Sequence, residues 1–190
     1  MNFVQPIRDK AKLEQMYEIL QEHNERDFIL FLMGVSTGLR ISDLLRLKKE
    51  IIYEQYVSIR EKKTKKPKQF KIPPYIKEYL VPYARSLKDG DYLFKSRNGR
   101  NRPIDRSRAY RILNAAAKKA RIQRIGTHTM RKTFGYHYYM ETSDIATLQM
   151  LFNHSSQEIT LRYIGITQDR LDKAMSKVRM IDGKRKHHKK

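Results

Sequence analysis

Residues 51–73 read IIYEQYVSIREKKTKKPKQFKIP, and here the hydrophobic period of the chain changes. Ile52, Val57 and Ile59 on one side, and Phe70 and Ile72 on the other, flank the lysine-rich centre KKTKKPK, which contains Pro67. β-Branched and aromatic residues bracketing a polar, proline-bearing segment predict two short strands joined by a basic loop. On either side the chain reads as helix. Upstream, residues 9–21 place Leu13, Met16, Tyr17 and Leu20 on one face, the stripe of an amphipathic helix. Residues 25–36 run apolar without interruption from Phe28 to Met33, which predicts a helix buried on most sides. Gly38 ends it, and residues 41–47 read as a short third helix.

Downstream, Pro73 and Pro74 stop the strand and open a helix over 75–87. Asp89-Gly90 and Asn98-Gly99 mark turns around a short strand at Tyr92, Leu93 and Phe94. Further helices are expected over 105–120, with Asp105 as N-cap, and over 127–139, 144–152 and 157–163. Residues 167–178 carry Leu171, Ala174, Met175 and Val178 on one face of a closing amphipathic segment. The fold class is therefore mainly α with a small antiparallel β-sheet (α+β), as one domain over residues 1–182. The remaining GKRKHHKK, residues 183–190, is almost pure charge and is expected to be a disordered basic tail.

Lys and Arg number 41 against 20 Asp and Glu in 190 residues, a formal net charge of +21. Like charges this numerous repel unless a polyanion neutralises them, so nucleic acid is the expected partner. The chain contains no cysteine, which excludes disulfides, thiolate zinc sites and a cysteine nucleophile. The opening MNFVQPIRDK lacks a secretory apolar run, and no later stretch is long enough to span a bilayer. A cytoplasmic protein without a membrane partner is the expectation.

Three segments carry candidate chemistry. In THTMR, His128 and Arg131 are three residues apart and share a helical face, offering one ligand a proton-transfer group and a planar cation. A chain this rich in arginine can hold His-x-x-Arg by chance, so the pair alone decides nothing. In STGLRISDLL, Arg40 follows a glycine turn at the start of a short helix, where unpaired N–H groups also attract phosphate. Asp43 stands three residues on, placed to orient Arg40. In LFNHSSQEITLRYI, residues 153–156 read as a turn capping the next helix, with Tyr163 nine residues past His154. Eleven other tyrosines share the chain, and a tyrosine beside Ile164 also suits half-buried packing.

Taken together, TGLRISDLL, REKKTKKPKQFKIP, HTMRKTF and NHSSQEITLRYIGI resemble, in order and spacing, the tyrosine recombinases of the phage-integrase family. The resemblance runs from about Pro6 to Val178. It implies the catalytic-domain fold of that family and a DNA strand transferase that works on double-stranded DNA without metal, cofactor or ATP. Tyr163 is similar to the family nucleophile, which attacks the scissile phosphate to give a 3′-phosphotyrosine and a free 5′-hydroxyl. Arg40 and Arg131 match the arginines that grip the non-bridging oxygens. His128 matches the histidine placed to take the tyrosine proton, which leaves reluctantly at an ordinary pKa of about 10. His154 matches the second histidine, a donor to the phosphate. The family puts its general-acid lysine on the hairpin, where Lys63 fits best and Lys62 and Lys65 remain alternatives. Lys62, Lys65, Lys66 and Lys68 are expected to contact DNA phosphates, whose neutralisation makes affinity strongly salt-dependent.

The sequence departs from the family at Asn153, where glycine is usual, and at Lys132, where histidine is common. Integrases also carry an N-terminal core-binding domain that clamps the far face of the duplex. Met1 precedes the resemblance by only a few residues, so a minimal protein or a separated catalytic domain is expected. By resemblance the protein forms a homo-tetramer on DNA and can be a monomer when free, with the segment 167–178 packing on a neighbour or on its own domain. Two rivals remain at this point: a relaxing enzyme like the type IB topoisomerases, which shares the chemistry, and a DNA-binding module with little catalysis of its own.

Overall fold

The computed structural model describes residues 4–178. Nine helices and one hairpin follow in the order α1 (Lys10–His23), α2 (Glu25–Thr37), α3 (Ile41–Leu44), β1 (Val57–Arg60), β2 (Pro67–Phe70), α4 (Pro74–Arg85), α5 (Arg106–Lys119), α6 (Thr129–Thr142), α7 (Ile145–Phe152), α8 (Gln157–Ile164) and α9 (Ile166–Lys177) among the described residues. The mainly α reading with a small antiparallel sheet holds. The basic tail expected at 183–190 lies outside the described residues.

Helix α2 is the axis of the molecule. Asn24 caps it through the amide of Asp27, and every residue from Asp27 to Val35 is buried. Gly38 ends it at φ 61°, and a Cβ there would run into the ring of Phe134. The hairpin pairs Val57 with Phe70 and Arg60 with Pro67. Pro67 lacks an N–H, and the first residue of a short strand tolerates that loss. The period change begins later than the sequence suggests, because Lys49–Ile52 forms a 3-10 turn before the strand. The strand expected at Tyr92–Phe94 does not form. Tyr92 makes a single bridge to Lys48 and the chain then turns, leaving Leu93 and Phe94 as fully buried plugs. Two turns so close together leave no room for a ladder.

Two apolar clusters divide the interior. The larger gathers α1, α2, α4, α5 and the hairpin; the smaller consists of Leu148, Phe152, Ile164 and Ile166, with Phe134 and Tyr163 against it. Helix α6 joins them, placing Met130 in the first and Phe134 at the second. Gly135 makes this junction tight: a Cβ there would stand 2.7 Å from Ile164 and 2.8 Å from Phe152. The candidate residues of α6, α7 and α8 therefore converge on one seam.

Candidate active site

The carbonyl end of α7 organises the site. The last four carbonyls of a helix lack partners within it and carry partial negative charge. Asn153 turns left-handed there (φ 52°), and the amides of Asn153 and His154 cap the carbonyls of Met150 and Gln149. The next two carbonyls are taken by cations. Arg131 donates from Nη2 to Phe152 O at 3.0 Å and from Nη1 to Gly38 O at 2.5 Å, with its guanidinium 4.0 Å from the centre of the Phe152 ring. Arg40 donates to the same Phe152 carbonyl at 3.4 Å. Lys68 donates from Nζ to Leu151 O at 3.1 Å. Two arginines and a lysine from three distant segments thus rest on consecutive carbonyls.

Burial weakens the hold of these groups on their protons. Arg131, 2% exposed, is lowered to about 10 by burial and stays cationic at neutral pH. Lys68 is lowered to about 8 by burial and by the charges of Arg131 and Arg40, against the opposing pull of Glu61 and Asp43. Glu61 is the buried acid of the pocket. Its Oε1 lies 2.6 Å from Arg40 Nη1 in a buried ion pair. Its Oε2 accepts from Thr64 at 2.5 Å and Asn153 at 3.1 Å.

Tyr163 projects from α8 into this pocket, and its hydroxyl lies 3.2 Å from Nδ1 of His128. Burial raises the tyrosine pKa, and the charges of Arg131 and Arg40 work against that rise. His128 occupies the N-cap of α6, on a turn fixed by the Gly126 amide donating to Thr129 Oγ1. Burial, then the charges of Arg106, Arg131, Lys132 and Arg40, lower its pKa. The ring is neutral at physiological pH, and Nδ1 can accept the tyrosine proton. His154 stacks edge-on against Tyr163 with ring centres 5.1 Å apart. Burial and both arginines lower it to about 4, and its Nδ1 lies 3.1 Å from the hydroxyl of Thr160. That hydroxyl has a second acceptor in Ser156 O at 3.0 Å. When it donates to Nδ1, the imidazole carries its own proton on Nε2, the tautomer that donates to an anion.

The structure brings Arg40, His128, Arg131, His154 and Tyr163 together. It leaves Lys63 exposed on the hairpin loop, as it does Lys62, Lys65 and Lys66, and draws in Lys68 instead. Asp43 does not orient Arg40: its Oδ1 accepts from Arg46 and from the amide of Lys62, at 2.9 Å each, and so holds the base of the hairpin. Glu61 has the place beside Arg40 that the sequence assigned to Asp43. Lys132 ties down the N-terminal segment through Val4 O at 2.8 Å, with its amine over the Tyr163 ring. Nothing in the local sequence signals Glu61, and Thr160 stands in the TLRYI run that carries the resemblance without a role assigned to it; the period-2 pattern of the strand is the one clue that separates Lys68 from its neighbours.

This arrangement can hold a tetrahedral anion between two arginines and a histidine, with a hydroxyl nucleophile and an acceptor for its proton alongside. The model of the phage integrase family matches residues 8–170. The chain is 46% identical over 170 residues to the probable integrase/recombinase YoeC of Bacillus subtilis (strain 168), covering 89% of this chain and 93% of that one. The crystal structure of XerA recombinase superimposes with a TM-score of 0.72 at 22% identity, over 94% of this chain and 66% of that one. XerH site-specific recombinase bound to palindromic difH substrate gives a TM-score of 0.71 at 21% identity, over 92% of this chain and 54% of that one. The chain thus spans nearly all of YoeC and little more than half of XerH. None of the three is a relaxing enzyme by name.

Proposed function

Because the chain belongs to the phage integrase family, we propose that it is a site-specific DNA recombinase that cuts and rejoins double-stranded DNA through Tyr163. The observation that carries this reading is the hydroxyl of Tyr163 held 3.2 Å from a neutral histidine, inside a pocket of two anchored arginines. Arg40 and Arg131 hold the non-bridging oxygens of the scissile phosphate, with His154 donating to a third position. Tyr163 attacks phosphorus as His128 takes its proton, and the strand leaves as a 5′-hydroxyl while its 3′ end stays on the tyrosine. The phosphotyrosine conserves the energy of the phosphodiester, so religation needs no ATP. The leaving oxygen draws its proton from a lysine of the hairpin. Lys62, Lys65 and Lys66, exposed on the same loop, contact neighbouring phosphates.

On DNA the working unit is a homo-tetramer formed from free monomers. Helix α9 suits that role, since Leu171, Met175 and Val178 are 55%, 73% and 62% exposed and can pack on a neighbouring protomer. No helix of the described residues is long and apolar enough to cross a membrane.

Incubation with a library of nicked suicide duplexes tests the proposal. A covalent adduct on the DNA 3′ end that vanishes in Tyr163→Phe is the expected result. An adduct that survives this substitution refutes the assignment. Salt-sensitive duplex binding with no adduct on any duplex identifies a binding module instead.

A further inference from the structure

We infer that Arg8 is a positioning residue for Tyr163, acting through the turn that ends α8; the inference rests on the reading of Tyr163 as nucleophile. Nucleophile and base stand on separate helices, Tyr163 on α8 and His128 at the start of α6. Their 3.2 Å contact lasts only while the two helices keep register. Residues 4–8, which form neither helix nor strand, run along α6 and reach both. At one end the amide of Gln5 donates to Arg124 O at 3.1 Å. Val4 abuts the turn that carries His128, since a Cβ on Gly126 would stand 3.0 Å from its side chain. In the middle, the amide of Ile7 donates to Thr133 Oγ1 and its carbonyl accepts from His137 Nε2, both at 2.9 Å. The Ile7 side chain is buried in the larger cluster. The segment is therefore fixed to α6 before it reaches Arg8.

Arg8 carries the link across to the nucleophile. Its Nε donates to both carboxylate oxygens of Asp169, at 3.0 Å each, and its Nη2 lies 2.8 Å from Oδ1. Nη2 also donates to Gln5 Oε1 at 3.2 Å, and the guanidinium stands 5.5 Å from the centre of the Tyr136 ring. A planar cation held at several points fixes direction as well as distance. Asp169 lies in the first turn of α9, and its amide donates to Gly165 O at 3.1 Å. Gly165, at φ 90°, closes α8 two residues after Tyr163 and opens α9. A Cβ there would stand 2.7 Å from Arg8 Nη2, so the bare glycine admits the guanidinium against the turn.

The last turn of a helix lacks part of its hydrogen bonding and frays unless something ties it down. Tyr163 sits in that turn of α8, and Arg8 is the tie. The phosphate grip is built elsewhere, from Arg40 and Arg131 on the Phe152 carbonyl. Loss of Arg8 should therefore disturb the nucleophile and spare the grip. Arg170, donating to the hydroxyl of Tyr139 at 3.1 Å, keeps α9 on α6 when Arg8 is removed.

The test times single-turnover adduct formation on a nicked suicide duplex and measures duplex affinity over a range of salt. A misplacement of 1 Å can cost about 10²-fold in rate. Arg8→Ala and Asp169→Asn, each loosening the turn by part of that, should each lower the rate constant by roughly tenfold, with affinity and its salt dependence unchanged. The double variant should be no slower than either alone, because both changes remove one bond. Arg8→Lys, which keeps the charge and one contact, should fall between Arg8→Ala and wild type. The rate constant decides: a merely destabilised protein yields less adduct, but its folded molecules react at the wild-type rate. Wild-type rate constants in both single variants, or a loss of adduct yield alone, overturn the inference. So does additive slowing in the double variant. Weakened affinity with a shallower salt dependence overturns it too, since Arg8 would then be a phosphate contact. An adduct that fails to form with the wild-type protein, or that survives Tyr163→Phe, removes the reading of Tyr163 itself.

Discussion

Gly135→Ala sets helix propensity against packing, and the two predict opposite signs. Alanine in a helix interior is worth about 1 kcal/mol over glycine, so propensity alone makes the variant more stable. The structure says otherwise. The new Cβ would stand 2.7 Å from Ile164, with Phe152 ring atoms at 2.8 and 2.9 Å. Apolar carbons prefer about 3.5–4.0 Å, so α6 must separate from α7 and α8 by roughly half an ångström or more. Overpacking of this kind costs about 1–3 kcal/mol, which leaves a net loss near 1 kcal/mol and a fall in Tm of about 2–4 °C. Function should suffer more than stability. Ile164 adjoins Tyr163 in the chain, and the Phe152 carbonyl is the anchor of both arginines, so the shift moves nucleophile and phosphate grip relative to one another. A misplacement of 1 Å can cost about 10²-fold in rate, and half of that roughly tenfold. Calorimetry and timed adduct formation on a trapping duplex measure the two effects. A variant with a raised Tm and an unchanged rate refutes the close approach and the claim that it aligns the site.

Two further outcomes follow from the pocket. Thr160→Val removes the hydroxyl beside Nδ1 of His154 and with it the control of the tautomer, so adduct formation should slow by about tenfold with duplex affinity unchanged; equal rates would show that Thr160 does not set the ring. Glu61 is 1% exposed, and although burial pushes its pKa up, Thr64, Arg40 and Asn153 together hold it below the ordinary value. A carboxylate depressed in the folded state contributes stability above its unfolded pKa of about 4.3 and loses it as pH falls through the lower folded value. Glu61→Gln should therefore lower Tm at pH 7, where one partner of a buried pair has been neutralised, and narrow its gap to wild type as pH falls below about 4. A gap that stays constant down to pH 2 would show that Glu61 does not act through its charge.

Features set by local spacing were legible in the sequence. His128 and Arg131 share a face because three residues make most of a helical turn, and the run from Phe28 to Met33 had to be a buried helix. Asn153 could stand where glycine is usual because it adopts the left-handed turn at φ 52°. What stayed hidden depends on register and on distant partners. Lys68 looks like five other lysines until Pro67 fixes the start of β2 and the alternation sends it inward. Glu61 follows the exposed Arg60 in a charged run, and only the fold reveals a buried carboxylate at the guanidinium of Arg40. Tyr92, Leu93 and Phe94 have the composition of a strand, but the turns around them turn the apolar residues into core plugs.

The gathering of Arg40, Arg131 and Lys68 in one half-closed pocket costs the fold stability, since like charges removed from water repel more strongly. Burial above all, and the neighbouring cations after it, lower the pKa values of Arg131 and Lys68. Local packing does not require the gathering; a leucine at position 68 would serve the core at least as well as an amine. The compensation is partial: the carbonyls of Gly38, Leu151 and Phe152 and the buried carboxylates of Glu61 and Asp43 face three cations. Such a site is complete only when a further negative charge enters. A bound phosphate then relieves repulsion that the free protein carries, so the strain of the empty pocket becomes affinity for DNA at the point where the strand is cut.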